Sequence, residues 1–198
     1  MTPSTDERAR VVLDNIRARR TLPWTYMKPD PIEAHHLEAL LEAANWAPTH
    51  KHTEPWRFVI FTGAGRASLA DLLGRTYRET IGEKFTEKKY QKTVTRPAAV
   101  PLVMAIVMEP SEKADLPEFE EILAVGCAMQ NFHLAAQALG IGCAWSTPKY
   151  LDHPNIRSFL GLTGRMRCLG FYYVGYPADG WPGSLRRPIA EKVRHVTA

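Results

Sequence analysis

The feature that most constrains the fold is a long apolar stretch between Glu118 and Leu139. Its apolar side chains recur at intervals of three and four residues, which is the spacing of an α-helix. They are Ile122, Val125, Met129, Phe132, Ala136 and Leu139. Because the stretch is unusually apolar for its length, other parts of the protein must cover this helix. We expect it either at the centre of the core or in a subunit interface.

A second apolar run, Leu102–Met108, lacks the alternation of a strand with one face in solvent. A continuous run of this length is typical of a strand that is covered on both faces. Apolar runs bounded by turn residues predict further strands. They are Arg57–Thr62, Gly142–Ser146 and Cys168–Tyr176.

Apolar periodicity and capping residues predict the helices. The first runs from Ser4 or Thr5 to Arg19, and the second has Asp30 as its N-cap and Pro31 at its first position. That second helix stops before Pro48. Further helices are expected at Ala67–Gly82, in the basic stretch Glu83–Arg96 and at Ile156–Leu160. The tail from Pro177 onward is expected to be extended.

These elements do not repeat as βαβ units, and no G-x-G-x-x-G follows a strand, which disfavours a Rossmann nucleotide fold. A P-loop and a G-x-S-x-G nucleophile elbow are also absent from the sequence. We therefore expect an α+β fold, with a sheet flanked by helices. At 198 residues, the chain suits one domain over residues 1–198.

The net charge of +4 is a mild excess, and the 25 Lys and Arg residues are spread along the chain. This distribution argues against a nucleic-acid-binding stripe, and a bound anionic cofactor would use some of the excess. No apolar run approaches the ~20 residues that span a bilayer, and the polar N-terminus is not a secretory signal. Three cysteines without a CxxC pair predict reduced, buried thiols in a cytoplasmic protein.

Four histidines, His35, His36, His50 and His52, raise the question of a metal site. The adjacent pair on the second helix should point about 100° apart rather than converge. No glutamate lies between two histidines in an HExxH arrangement. We therefore predict no metal site.

The loop between Pro48 and Pro55 is a candidate binding loop. It carries hydroxyl, imidazole, ammonium and carboxylate groups on Thr49, His50, Lys51, His52 and Glu54. Polar loops held between rigid elements often carry binding groups, and proline pre-shapes the backbone here. Surface loops are polar in any case, so an ordinary surface loop remains the alternative.

Two arginine clusters lie at opposite ends of the chain, Arg17–Arg20 with Thr21 and Arg186-Arg187. Arginines that end a helix can simply offset its dipole. Alternatively, their guanidinium groups hold a phosphate or a polar ring. Small donors at Trp145-Ser146-Thr147 would let a flat ring approach the backbone closely.

Read in order, these segments resemble the FMN-dependent nitroreductase family. Arg19-Arg20-Thr21 is similar to its RRS box, and residues 47–58, APTHKHTEPWRF, are similar to its AP-S-x-x-N-x-Q-P-W-x-F segment. Residues 131–145, NFHLAAQALGIGCAW, resemble its N-x-x-L-A-A-x-A-L-G-x-G-x-x-W helix and strand. Residues 170–177, GFYYVGYP, with the later Arg186-Arg187-Pro188, resemble its closing strand and tail. The resemblance covers about residues 8–192 and is greatest to the small single-domain NAD(P)H nitroreductases.

The resemblance implies a central mixed, mainly antiparallel sheet and a homodimer that binds FMN in its interface and swaps its C-terminal tails. Arg19, Thr21 and either Arg186 or Arg187 would hold the phosphate, and arginines from both chain ends would meet across the twofold axis. Arg20 would reach the ribityl chain or the ring. The residues around the ring would be Trp145, Ser146 and Thr147, with Trp46 and His50 from the partner. His52 and Glu54 stand where many members have Asn and Gln.

The resemblance further implies a ping-pong oxidoreductase with its chemistry at FMN N5 and no catalytic side chain. NAD(P)H would be the electron donor, and nitroaromatics, quinones or related compounds the acceptors. Alternatives are a reductase of the same fold with another acceptor (dehalogenating, enoyl-type or flavin-fragmenting) and a flavin-binding module without turnover. The basic stretch Glu83–Arg96 is either a mobile cover over the site or a solvated helix.

Overall fold

The structure is a computed structural model that describes residues 4–197. Ten regular elements follow one another along these residues. They are α1 (Thr5–Ala18), α2 (Ala34–Asn45), β1 (Trp56–Phe61), α3 (Ala64–Ile81), α4 (Glu87–Ala98), β2 (Leu102–Met108), α5 (Glu118–Ala138), β3 (Gly142–Ser146), α6 (Pro154–Phe159) and β4 (Arg167–Gly175). Short 3₁₀ turns occur at Trp24–Tyr26, His50–His52, Gly82–Lys84 and Ile189–Lys192.

The four strands form one sheet in the order β1-β2-β4-β3, and each neighbouring pair is antiparallel. Thr21 adds a parallel bridge to Cys143 on β3, so the sheet is mixed but mainly antiparallel. The predicted α+β class is thus confirmed. Strand β2 has the predicted bounds, and each of its residues is at most 1% exposed.

Alternate side chains of β2 enter two different cores, which explains its unbroken apolar sequence. Met104 and Ile106 pack in the core that α2 and α5 share. Val103 and Ala105 pack in the core formed with α3 and α6. The sheet is therefore covered by helices on both faces, as expected for a strand without alternation.

Helix α5 buries one face and exposes the other. Val125, Met129 and Phe132 are at most 1% exposed and pack against the sheet, which agrees with the first of the two predicted alternatives, a position in the core. On the opposite face Leu123 is 61% exposed, and Cys127 is exposed as well. The prediction that all three cysteines are buried is therefore wrong for Cys127. Because α5 is apolar around its circumference, one sheet cannot cover all of it.

The predicted start of α2 is also wrong. The helix begins at Ala34 with Glu33 as its N-cap, and no side chain caps it. The first helical hydrogen bond joins the Leu37 amide to the Glu33 carbonyl. Glu33 has an extended backbone (φ −62°, ψ 139°), so residues 31–33 stay outside the helix, which starts one turn later than the Asp30-Pro31 cap pattern predicted.

The segment after α1 lies along the outer edge of β3. The Leu22 amide donates to the Cys143 carbonyl at 3.0 Å. A Cβ at Gly142 would clash with the Leu22 side chain, so glycine permits this close approach. The end of α1 is thus fixed beside the strand that leads to Trp145.

Within residues 4–197, no helix combines the length and the apolar character needed to cross a bilayer.

Candidate functional site

Arginines from both ends of the chain line one cavity of about 380 Å³. Arg19 and Arg20 follow α1, and Arg186 lies in the tail. Arg17 also lines the cavity and pairs with Asp14 at 3.3 Å. No carboxylate belongs to the lining within the described chain, so the cavity attracts anions. Arg19, Arg20 and Arg186 of one chain line this cavity, and the meeting of arginines across a twofold axis stays a prediction. We call this the arginine cavity.

The backbone at Arg20 is held in place by α5. His133 donates from Nε2 to the Arg20 carbonyl at 2.9 Å, and Gln137 Oε1 accepts from the Arg20 amide at 3.3 Å. The pKa of His133 is lowered to about 4, mainly because the ring is buried. The ring is therefore neutral near pH 7. His133 lies within the quoted helix segment, but no role could be predicted for it from the sequence, because this contact spans 113 residues.

Arg20 itself is partly used by the helix that it follows. Its guanidinium donates to the carbonyl oxygens of Arg17, at 2.5 Å, and Arg19, at 2.9 Å. Cations that bond the last carbonyls of a helix offset its dipole. This structural role is the alternative to phosphate binding that the sequence left open for the cluster. In the described part of the chain, the Arg19 and Arg186 guanidiniums have no carboxylate within 4 Å, so their charge is not neutralised by an ion pair. Arg186 Nη1 donates to Ser184 Oγ at 2.5 Å and to the Leu185 carbonyl at 2.9 Å.

Two residues expected at the phosphate do not line the arginine cavity. Arg187 lies 3.9 Å from the Glu191 carboxylate in the tail. Thr21 is exposed and pairs through its backbone with Cys143. The structure thus favours Arg186 over Arg187 for an anion in this cavity.

Trp145, at the end of β3, is fixed by a bulge in β4. Its indole nitrogen donates to the Leu169 carbonyl at 3.0 Å, and its ring lies edge-on to Tyr172. The register of β4 against β2 shifts at this point, between Cys168 and Gly170. Gly170 has φ +138°, and a Cβ there would clash with the Trp145 indole. The indole, 41% exposed, is held at the edge of the sheet.

Ser146 and Thr147 line a second cavity, of about 300 Å³, beneath α4. Ser146 Oγ accepts from Arg96 Nη1 at 2.8 Å, and Arg96 belongs to α4. The basic stretch Glu83–Arg96 is therefore largely this helix, most of whose side chains are exposed while Lys89, Lys92 and Arg96 line this cavity. We call it the α4 cavity. A role of the basic stretch as a mobile cover stays a prediction.

The loop between Pro48 and Pro55 lies against the start of α5, away from both cavities. His50 Nδ1 lies 2.7 Å from Glu120 Oε2. Trp46 is 78% exposed, and its indole donates to Glu42 Oε1 at 2.7 Å. Within the described chain, neither Trp46 nor His50 lines the arginine cavity or the α4 cavity, where Ser146 and Thr147 lie.

A buried carboxylate anchors this loop. Glu121 is 2% exposed and accepts from the Thr53 hydroxyl at 2.6 Å and from the Ser111 amide at 3.2 Å. The backbone of Lys51, His52 and Glu54 adopts positive φ, between 45° and 53°. Non-glycine residues in this region are strained and often occur at functional sites. The sequence did not single out Glu121, because nothing local marks an acid in an apolar helix as a loop anchor.

An apolar surface remains open on α1 and α5. Its large side chains are 45% to 61% exposed. They are Val11, Val12, Leu13, Ile16, Phe119 and Leu123. Large exposed apolar surfaces commonly mark interaction sites, and Val11, Val12 and Ile16 line one cleft with the C-terminal part of α5. We call this the α1/α5 face.

The thiols offer no buried nucleophile. Burial raises the pKa of Cys168 to about 11 and that of Cys143 further still. Thiols that stay protonated are poor nucleophiles. Cys127 is the exposed one, and all three are free.

The adjacent histidines of α2 lie closer together than predicted. The His35 and His36 ring centroids are 4.2 Å apart, and the ring planes are inclined at 44°. With Glu33 they form a group whose possible ligand atoms lie within 4.8 Å of one another. His36 Nδ1 already lies 3.0 Å from the Tyr176 hydroxyl. His50 and His52 are not part of this group.

Sequence comparison places most of the chain in a known family. A sequence profile described as "Nitroreductase family" matches residues 16–176. The Bacillus subtilis (strain 168) protein named "Putative NAD(P)H nitroreductase YfhC" is 28% identical over 183 residues, which cover 92% of each chain.

Two solved structures share the fold. The nitroreductase-like family protein from Bacillus cereus is 28% identical and aligns over 100% of both chains with a TM-score of 0.79. The nitroreductase with bound FMN from Bacteroides fragilis NCTC 9343 is 25% identical, with a TM-score of 0.71 over 94% of this chain and 98% of its own.

Proposed function

The chain belongs to the nitroreductase family, whose cofactor is FMN, and from this premise we propose that it is an NAD(P)H-dependent oxidoreductase. In this proposal the electrons pass from NAD(P)H to a nitroaromatic, a quinone or a related acceptor, and the two substrates bind in turn. We place the enzyme in the cytoplasm, where its free thiols stay reduced.

The arginine cavity carries the proposal. Arg19 and Arg186 present two guanidiniums without carboxylate partners in the described chain, which suits a phosphate dianion. Thr21 follows Arg20, which lines this cavity, and it pairs with Cys143 on β3. Ser146 lies three residues further along β3. This separation is roughly 10 Å along a strand. It suits FMN, with its phosphate in the arginine cavity and its ring near the end of β3.

Each group of residues then has a role in holding the cofactor. Arg19 and Arg186 bind the phosphate, and His133 fixes the Arg20 backbone beside it. Trp145, Ser146 and Thr147 orient the ring and limit its access to water. When bound, FMN supplies hydride transfer at its N5 atom, so no side chain need act as a nucleophile.

We further propose that the enzyme is a homodimer formed through the α1/α5 face. In this arrangement Trp46 and His50, which lie apart from both cavities in one chain, reach the site of the partner. The tails embrace the neighbouring subunit, since Leu185, Ile189 and Val196 are 73% to 94% exposed in the single chain. Burying such apolar surface is the usual driving force for a twofold dimer.

Spectroscopy of the purified protein tests the proposed function. We expect a yellow protein whose flavin absorbance bleaches with NADPH under anaerobic conditions and returns with menadione or nitrofurazone. Bleaching without reoxidation by either acceptor would indicate a flavin-binding module or another acceptor class. A colourless protein that cannot be reconstituted with FMN would contradict the proposal.

A further inference from the structure

The α4 cavity is strongly cationic. Lys89, Lys92 and Arg96 reach it from α4, and Lys149 reaches it from the segment after β3. Within residues 4–197, no carboxylate lines the cavity or lies within 4 Å of these four cationic groups. A concave surface with one sign of charge concentrates ions of the opposite sign.

Two buried donors in this cavity have no partner in the described chain. They are the Tyr77 hydroxyl and Arg96 Nε. Tyr77 is only 6% exposed, so bulk water has little access to its hydroxyl as a hydrogen-bond partner. A buried donor left unbonded is unfavourable, so a ligand that supplies acceptor oxygens here gains binding free energy.

The neighbouring phenols stay protonated and can also donate. Tyr150 and Tyr173 are 7% and 3% exposed and line the same cavity. Burial is the main cause that raises the pKa of Tyr173, to about 12, and it raises the pKa of Tyr150 as well. The cavity therefore presents hydroxyl donors beside its cations, which suits a carboxylate or another oxyanion.

The rest of the lining is apolar. Leu73, Ile81 and Phe171 close the inner side. A cavity of about 300 Å³ admits a single substituted ring and is too small for a dinucleotide. Ser146 and Thr147 form its rim, next to the expected position of the flavin ring.

We propose that the α4 cavity binds the anionic group of the electron acceptor, so that the enzyme prefers small aromatic acceptors that carry a carboxylate. This inference rests on the proposed function, since Ser146 and Thr147 serve both sites. The cations of α4 attract the carboxylate, Tyr77 and Arg96 donate to its oxygens, and the apolar wall packs against the ring.

Two probes that differ only in charge test the proposal. 4-Nitrobenzoate and 4-nitrobenzamide share a ring and a nitro group, and each is titrated calorimetrically into the FMN-saturated protein. We expect the carboxylate to bind about tenfold more tightly than the amide. Equal affinities would overturn the proposal.

Matched variants locate the effect. Lys92→Gln removes a cation that lines the cavity, and Lys88→Gln removes one that is exposed on the same helix outside it. We expect the preference for the carboxylate to fall at least about threefold in Lys92→Gln and to stay unchanged in Lys88→Gln. Tyr77→Phe should reduce it as well, since the phenyl ring cannot donate. An equal loss in the two lysine variants would contradict a local site.

Failure of this inference is distinguishable from failure of the proposed function. A protein that takes up no FMN refutes the proposed function, and the two titrations on the protein as purified still test the cavity. If Lys92→Gln weakens FMN binding or raises KM for NADPH while leaving 4-nitrobenzoate binding unchanged, the cavity serves the cofactor or the nucleotide. Either result would overturn the assignment to the acceptor.

Discussion

His133 Nε2 lies 2.9 Å from the Arg20 carbonyl, which ties the C-terminal half of α5 to the arginines that follow α1. The hydrogen bond needs a neutral ring with its proton on Nε2, and burial keeps the ring neutral by lowering the pKa of His133 to about 4. The neutral state of His133 therefore helps to hold the backbone beside the arginine cavity in place.

Acid should therefore destabilise the fold through His133. Well above pH 6.5 the ring is neutral in both the folded and the unfolded state, so it adds no pH dependence there. As pH falls from 6.5 toward 4, the unfolded chain binds a proton that the folded chain excludes, and the free energy of unfolding decreases. At pH 4.5 we expect a loss of roughly 2–3 kcal/mol from this group.

Urea unfolding at pH 7 and pH 4.5 measures this loss in wild type, in His133→Gln and in His195→Gln. His133→Gln keeps an N–H donor but cannot titrate, so the variant should lack that part of the acid loss. His195 is exposed in the tail, and its variant should behave like wild type. The same acid loss in His133→Gln as in wild type would show that the ring is not the sensor.

Gly170→Ala should destabilise the protein because glycine lets β4 approach Trp145. Its φ of +138° disfavours any other residue, and a Cβ would collide with the indole. We expect a loss of roughly 1–3 kcal/mol and an altered near-ultraviolet signal from Trp145. Thermal unfolding and circular dichroism provide the measurement.

Gly183→Ala is the control for Gly170→Ala, since a Cβ at Gly183 meets nothing within 4 Å. It should leave stability unchanged within about 0.5 kcal/mol. Comparable losses in both variants would show that the approach of β4 to the indole is not what requires glycine.

Thr53→Val should loosen the binding loop. Thr53 donates at 2.6 Å to the buried carboxylate of Glu121, and valine has a similar shape without the donor. We expect a decrease of roughly 1.5–3 kcal/mol in the free energy of unfolding by urea, because hydrogen bonds to charged groups are the stronger ones. Thr62→Val, at an exposed position, serves as the control. An unchanged stability in Thr53→Val would mean that this bond does not anchor the loop.

Leu123→Glu should separate the proposed dimer. Leu123 is 61% exposed on the α1/α5 face, and a buried carboxylate without a partner would oppose association. In sedimentation velocity we expect a wild-type dimer and a monomeric variant that also retains less FMN. Ala67→Glu places the same charge at an exposed position of α3 and should remain dimeric. A monomeric wild type, or a dimeric Leu123→Glu, would exclude this interface.

Strongly periodic or continuous apolar segments could be predicted from the sequence. Strand β2 has its predicted bounds because all seven of its side chains are buried, and burial on both faces leaves a clear apolar run. Helix α5 ends one residue from its predicted end for the same reason. The start of α2 was misplaced because Asp30-Pro31 resembles a helix cap, whereas the backbone stays extended as far as Glu33.

The candidate site could be predicted only in part. Arg19, Thr21 and either Arg186 or Arg187 were predicted to hold a phosphate, and the structure brings Arg19 and Arg186 to one cavity that Thr21 and Arg187 do not line. His133 and Glu121 were missed, because their partners lie 113 and 68 residues away and leave no local pattern. The exposure of Cys127 was missed because an apolar helix gives no sign of which face remains uncovered.

The central claim is that arginines from both chain ends hold the FMN phosphate, and adjacent arginines in the tail test it most directly. Arg186 lines the arginine cavity, whereas Arg187 lies beside Glu191. We expect Arg186→Gln to raise the FMN dissociation constant by about ten- to a hundredfold, and Arg187→Gln to change it by less than about threefold. Equal effects of the two substitutions, or an unchanged dissociation constant in Arg186→Gln, would contradict the account.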